Sequence, residues 1–95
     1  MHLSLFQLYW PNMVSNLSYG LRTWIEVDRS AIRHNVGVFR GIVPATTKLM
    51  AVVKSNAYGH SLLDFAREAE ALGVDFFGVD SVVEALALRK GGIKN

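Results

Sequence analysis

A lysine at the end of an apolar run is the residue best placed for chemistry in this sequence. Lys54 follows Leu49-Met50-Ala51-Val52-Val53 and precedes Ser55-Asn56-Ala57-Tyr58-Gly59-His60. A free lysine amine has a pKa near 10.4, so roughly one in 2,500 is the neutral nucleophile at pH 7. Apolar surroundings favour the uncharged form of a lysine. Uncharged, the amine condenses with carbonyl compounds to form Schiff bases. Strand side chains alternate between faces, so Met50, Val52 and Lys54 are predicted to share one. If the strand lines a barrel, Lys54 stands at its C-terminal end, where barrel enzymes keep their active sites. Spacing alone fits a plainer reading better: a lysine whose stem covers apolar surface while its amine reaches water. Lys48 lies at the other end of the strand, roughly 20 Å away at 3.3 Å per residue, and is assigned no catalytic role.

The other candidates are weaker. Taken by itself, Tyr58 reads as an aromatic packed in the loop from Ser55 to His60. His60 reads as structural rather than as an acid or base, and His34 as a helix surface or packing residue. Asp64 and Glu68 sit early in a helix, where acidic side chains complement the helix dipole, so they need no catalytic pairing. The sequence has no cysteine, which excludes disulfides, thiol catalysis and thiolate metal sites. No metal is assigned.

The elements that must position Lys54 are legible from Arg22 onward. Thr23-Trp24-Ile25-Glu26-Val27-Asp28 alternates as a half-buried strand does. Ser30 is predicted to cap a helix reaching about Arg40, with Ile32, Val36 and Phe39 on one face and Gly41 and Pro44 at its end. The run 49–53 is a continuous apolar strand, the kind buried on both faces of a parallel sheet. A second helix runs from about Ser61 to Leu72, burying Leu62, Phe65, Ala66, Ala69 and Leu72, and Gly73 closes it. Val74 to Asp80 reads as a third strand. Ser81-Val82-Val83-Glu84 is a capping-box pattern opening a third helix to about Lys90, ended by Gly91-Gly92. The order βαβαβα implies an α/β fold with a parallel sheet.

At 95 residues, the chain is far short of the roughly 250 that a complete (β/α)8 barrel takes. Gly92-Ile93 repeats the Gly73-Val74 step from helix into strand, so the expectation is the opening part of such a barrel, incomplete. Apolar residues make up 51%, which excludes a compositionally disordered chain. The net charge is +2, with basic residues scattered from Arg22 to Lys94 rather than gathered in the patch that nucleic acid requires. Residues 1–21 carry no Asp, Glu, Lys or Arg. They lack the basic start of a signal peptide and are too interrupted by Gln7, Pro11 and Asn12 to span a membrane. They are expected to be a flexible extension, with Met13 an alternative start, and 22–95 to be the folded unit. The Asn16-Leu17-Ser18 sequon carries little weight without an export signal.

Ala51-Val52-Val53-Lys54-Ser55-Asn56-Ala57-Tyr58-Gly59-His60 resembles the cofactor-lysine signature of alanine racemases. The usual family form has Ala at position 55 and Gly at position 61, where this chain has serines. Trp24-Ile25-Glu26-Val27-Asp28 resembles the family's opening strand, and Phe77-Gly78-Val79 with Glu84-Ala85-Leu86-Ala87-Leu88-Arg89 resembles its next strand and helix. The resemblance covers about residues 22–95. It implies a TIM-type barrel, pyridoxal 5'-phosphate held by Lys54 as a Schiff base, and Tyr58 hydrogen-bonded to the cofactor phosphate. Lys54 would then exchange the Cα proton on the D-alanine face. The opposite-face base would be a tyrosine from a C-terminal β-domain of the partner subunit, and an arginine would contact the pyridine nitrogen; neither segment lies within these 95 residues. The implied protein is a cytoplasmic homodimer that interconverts L- and D-alanine for cell-wall synthesis. Residues 1–95 alone are expected to be inactive. A racemase of other specificity, a non-catalytic pyridoxal-phosphate-binding protein on the same barrel, and a non-functional remnant stay open as alternatives. The run Asn56-Ala57-Tyr58-Gly59-His60 argues against the non-catalytic one.

Overall fold

The computed structural model describes Thr23, residues 25–95 and the short strand Leu3–Ser4. The rest of the extension 1–21, with Met13 and the Asn16 sequon, lies outside the described residues, as do Arg22 and Trp24. In chain order the elements are β1 (Leu3–Ser4), β2 (Glu26–Val27), α1 (Arg29–Ile42), β3 (Met50–Val52), α2 (Lys54–Tyr58), α3 (Leu62–Ala71), β4 (Phe76–Gly78) and α4 (Val82–Lys90).

The parallel sheet is smaller than the sequence predicts. β3 and β4 pair in parallel, with Met50 opposite Phe76, Ala51 opposite Phe77 and Val52 opposite Gly78. The opening strand does not join them. β2 pairs antiparallel with β1, Leu3 opposite Val27 and Ser4 opposite Glu26. An alternating pattern identifies a half-buried strand but carries no information about its partner, which is why the prediction placed β2 in the wrong sheet. Among the described residues the barrel is not closed.

α1 starts two residues earlier than predicted and runs past Arg40 and Gly41 to Ile42. Its cap is Asp28, not Ser30: Asp28 Oδ1 accepts hydrogen bonds from the Ser30 N–H at 2.8 Å, the Ala31 N–H at 3.3 Å and the Ser30 hydroxyl at 2.6 Å. A carboxylate is the stronger acceptor for the unpaired amides of a first turn, and the Ser30 hydroxyl is engaged as its donor. These bonds, that from the Ser30 hydroxyl foremost, hold the Asp28 carboxyl below its ordinary range. Of the predicted apolar stripe, Ile32 is buried, Val36 half-buried and Phe39 exposed. All three line a cavity of about 360 Å³ shared with Leu49, Phe65 and Val74. Arg29 ties α1 to α3 through Glu68 at 2.6 Å.

The core gathers behind the β3–β4 pair. Val53, Ala57, Ala66, Leu88 and Ile93 are buried, and Leu62, Leu63, Phe65, Phe77 and Val79 pack on them. The other face carries Met50, Val52 and Phe76, which are exposed. The two-residue alternation holds in β3, so the strand is buried on one face and not on both as the apolar run predicted, and Lys54 is exposed like Met50 and Val52.

The end of the sheet remote from Lys54 is closed by Asp75. Its Oδ2 accepts from the Leu49 N–H at 2.8 Å and from Arg40 Nη2 at 2.7 Å, and Lys48 Nζ lies 3.6 Å from Oδ1. Arg40 also donates to the Thr47 and Gly73 carbonyls. Lys48 thus belongs to a structural clasp. The Leu49 amide first, then Arg40, lowers the Asp75 carboxyl from 3.8 to about 2. A carboxylate with a depressed folded-state pKa contributes stability above its unfolded value and loses it as the pH falls through the folded one. Asp75→Asn is therefore expected to lower the melting temperature at pH 7, and the gap from wild type should close between about pH 4 and pH 2. Thermal unfolding followed by circular dichroism checks this; a gap independent of pH would remove the carboxylate from the account.

Candidate active site

The candidate site is built on a reversal of backbone handedness. Val53 is fully buried and ends the strand, its N–H bonded to the Gly78 carbonyl at 2.8 Å. Directly after Lys54 the chain turns left-handed. Ser55, Asn56, Ala57 and Tyr58 have φ of 55°, 57°, 54° and 55°, and Gly59 follows at 90°. The sequence predicted a loop here, and the structure has a left-handed helical turn, α2. Left-handed conformation costs an L-residue on the order of 1–2 kcal/mol, so four consecutive non-glycine residues need substantial support from their surroundings.

That support comes from several directions. The Ala57 N–H bonds back to the Val53 carbonyl at 2.8 Å, and the Ala57 side chain is buried in the core. The Asn56 side-chain oxygen accepts from the Leu62 N–H at 2.8 Å, joining the turn to the start of α3. His60 Nδ1 lies 2.9 Å from the Ala57 carbonyl, to which it donates, and the His60 amide bonds to the same oxygen. This is the structural role the sequence suggested for His60. From α4, Glu84 Oε1 accepts from the Ser55 N–H at 2.7 Å and from the Asn56 N–H at 3.4 Å.

Only half of the predicted capping box forms. Ser81 Oγ accepts from the Glu84 N–H at 3.2 Å, but the Glu84 carboxylate turns to the Asp80 amide at 3.4 Å and to the turn after Lys54. Burial raises the Glu84 carboxyl, yet the hydrogen bonds from Asp80, Asn56 and Ser55 outweigh it and hold the group below its ordinary range. Sequence reasoning missed this contact. Ser55 and Glu84 are 29 residues apart, and the capping-box pattern already accounted for the glutamate locally.

Lys54 opens the turn and Tyr58 closes it, both with exposed side chains. Among the described residues, nothing pairs with the Lys54 amine, whereas Lys48 lies against Asp75. The other titratable groups singled out earlier lie in structural contacts or on the surface. Asp64 accepts from the Ser61 hydroxyl at 2.7 Å, Glu68 pairs with Arg29, and His34 is exposed on α1. The cavity beneath α1 is lined by apolar residues and Asn35, with no titratable side chain, so acid–base chemistry has no agent there. What the arrangement offers is an accessible primary amine at the C-terminal end of a parallel strand, with a phenol at the far end of the same turn.

β3, α3 and β4 form one parallel βαβ unit of an α/β fold, with Lys54 just past the end of its first strand. Residues 27–95 match the alanine racemase N-terminal domain, and the chain belongs to that family. It is 45% identical over 74 residues to the alanine racemase of Methylacidiphilum infernorum, covering 78% of this chain and 19% of that one. It is 48% identical over 67 residues to an amino-acid racemase of Enterococcus faecalis, covering 70% and 10%. Among solved structures, alanine racemase from Bacillus anthracis with bound L-Ala-P superposes with a TM-score of 0.69 at 40% identity, over 72% of this chain and 18% of that one. The Streptomyces lavendulae enzyme gives 0.68 at 45% identity, over 73% and 18%. The chain spans about a fifth of the alanine racemases it matches.

Gly59 is where the left-handed turn hands over to α3, at φ 90° and ψ 0°. Its hydrogen faces open space, so an added methyl meets no neighbour and only the backbone conformation opposes it. Gly59→Ala is expected to cost about 1 kcal/mol of stability, read from urea unfolding. An unchanged midpoint would mean that the turn relaxes at no cost.

Proposed function

We propose that this chain is the cofactor-lysine segment of a pyridoxal-phosphate-dependent racemase that interconverts L- and D-alanine. The observation that carries the reading is the exposed Lys54 amine just past β3, unpaired among the described residues, within the stretch that matches the family. The donor set suits the cofactor: a primary amine able to bond an aldehyde carbon and, on the same turn, the Tyr58 hydroxyl able to donate to a phosphate oxygen. Pyridoxal phosphate, when bound, draws electrons from the amino acid's Cα and makes its proton labile.

The chain's own contribution is positional and protonic. β3 and α2 direct the Lys54 amine outward from the sheet end. Released from the cofactor, Lys54 Nζ would take or return the Cα proton on one face. A two-base racemisation needs a second group on the opposite face, and the family resemblance assigns it to a tyrosine of a partner subunit's β-domain. The working enzyme is thus read as a homodimer, and residues 1–95 alone as unable to turn over. No described helix is long and apolar enough to cross a membrane, and the scattered charge offers no nucleic-acid patch; a cytoplasmic role in supplying D-alanine for cell walls accords with both. A second reading, racemisation of a different amino acid, is favoured by the identity to the Enterococcus faecalis amino-acid racemase, because the matched segment is common to both.

Borohydride reduction in the presence of pyridoxal phosphate, followed by peptide mapping, is expected to place the pyridoxyl adduct on Lys54. An adduct on Lys48 instead would overturn the assignment. In the complete enzyme, Tyr58→Phe should weaken cofactor binding by roughly one to two decades, the worth of one hydrogen bond to a charged group, about 1.5–3 kcal/mol. An unchanged dissociation constant, measured by titrating the apoenzyme, would return Tyr58 to a packing role.

A further inference from the structure

We infer that Glu84 is the positioning residue for Lys54: from α4 its carboxylate pins the first two amides of the left-handed turn and so fixes the direction in which the lysine leaves the strand. This rests on the reading of Lys54 as the cofactor's attachment point. Three observations support it. Of the amides the Glu84 carboxylate accepts from, the nearest is the Ser55 N–H, at 2.7 Å, one residue past the lysine. The same carboxylate reaches the Asp80 N–H at 3.4 Å, so it bridges the chain just beyond β3 to the chain just beyond β4. Lastly, Ser55 and Asn56 are the first left-handed residues of the turn, and their amides are the ones Glu84 accepts from.

Helix capping does not account for the arrangement. The Ser81 hydroxyl already bonds the Glu84 N–H, and the side chain of Glu84 bypasses the Ser81 amide that a capping box would give it. The geometry also assigns the Ser55 and Asn56 amides to a resident carboxylate, so they are not free to cradle a ligand's phosphate. Lys54 forms no ion pair with Glu84 among the described residues, so the clamp leaves the amine available.

The test compares wild type, Glu84→Ala, Glu84→Gln and, as a capping control, Ser81→Ala, all in the full chain. Hydrogen exchange without cofactor reports on the Ser55 and Asn56 amides, and titration with pyridoxal phosphate, followed by the absorbance of the lysine-linked cofactor, gives the dissociation constant. In Glu84→Ala both amides should exchange about ten- to a hundredfold faster and the dissociation constant should rise by a similar factor. Glu84→Gln keeps one acceptor oxygen and should fall between, which separates a lost clamp from a lost fold. Ser81→Ala should change neither quantity. The inference is overturned if Glu84→Ala leaves exchange at 55 and 56 unchanged, if exchange rises without any loss of cofactor affinity, or if Ser81→Ala reproduces both effects. A wild-type chain that takes up no cofactor on Lys54 would sink the functional reading, and with it Glu84's role toward the cofactor. Exchange in those samples would still decide whether Glu84 holds the turn.

Discussion

Four consecutive non-glycine residues in left-handed conformation are the constraint on which the site depends. Such a turn does not persist on its own propensity. It persists because Val53 and Ala57 on either side of Lys54 are anchored in the core, and because Asn56, His60 and Glu84 satisfy hydrogen-bonding groups in and around the turn. The anchors reach several elements: Val53 follows β3, Asn56 holds the start of α3, and Glu84 comes from α4. The direction of Lys54 is therefore set jointly by β3, α3 and α4, and packing of the helices behind the sheet is felt at the amine in front of it.

The two ends of the β3–β4 pair divide the work. At one end Asp75 gathers Arg40, Lys48 and the Leu49 amide into a clasp. At the other Glu84 gathers the amides that follow each strand. Both devices use one carboxylate to accept from backbone N–H groups that the short sheet leaves without a strand partner, and both carboxyls are held below their ordinary range. They differ in the fate of the nearby lysine. Lys48 lies against its carboxylate, whereas Lys54 remains unpaired among the described residues.

Much of this was legible in the sequence, for local reasons. The apolar run at 49–53 does hold a strand, Met50–Val52, but the burial on both faces that such a run suggests is met on one face only, with Met50 and Val52 exposed. The second and third predicted helices lie where their apolar spacing and terminal glycines put them, whereas the first runs through Gly41 to Ile42. Two of the failures concern a partner distant in the chain, and one is local. The pattern at 23–28 could not name Leu3–Ser4 as the mate of β2. The local one is the cap of α1, where Asp28 displaced Ser30 because two good acceptors stand two residues apart. The turn after Lys54 read as a loop because only Asn56 and Gly59 favour positive φ, whereas Ser55, Ala57 and Tyr58 do not. Their conformation is imposed by Glu84 and by the core.

The origin of that conformation bears on the order in which the chain acquires its shape. A segment whose dihedrals oppose its own preferences cannot act as a seed. The left-handed turn must form after α3 and α4 have docked on the sheet, when Ala57 has somewhere to be buried and the Glu84 carboxylate has arrived. A short synthetic peptide containing Lys54 and its neighbours would carry the motif letter for letter and still present the amine in no particular direction. The direction of Lys54 thus rests on contacts that exist only when the helices are packed on the sheet.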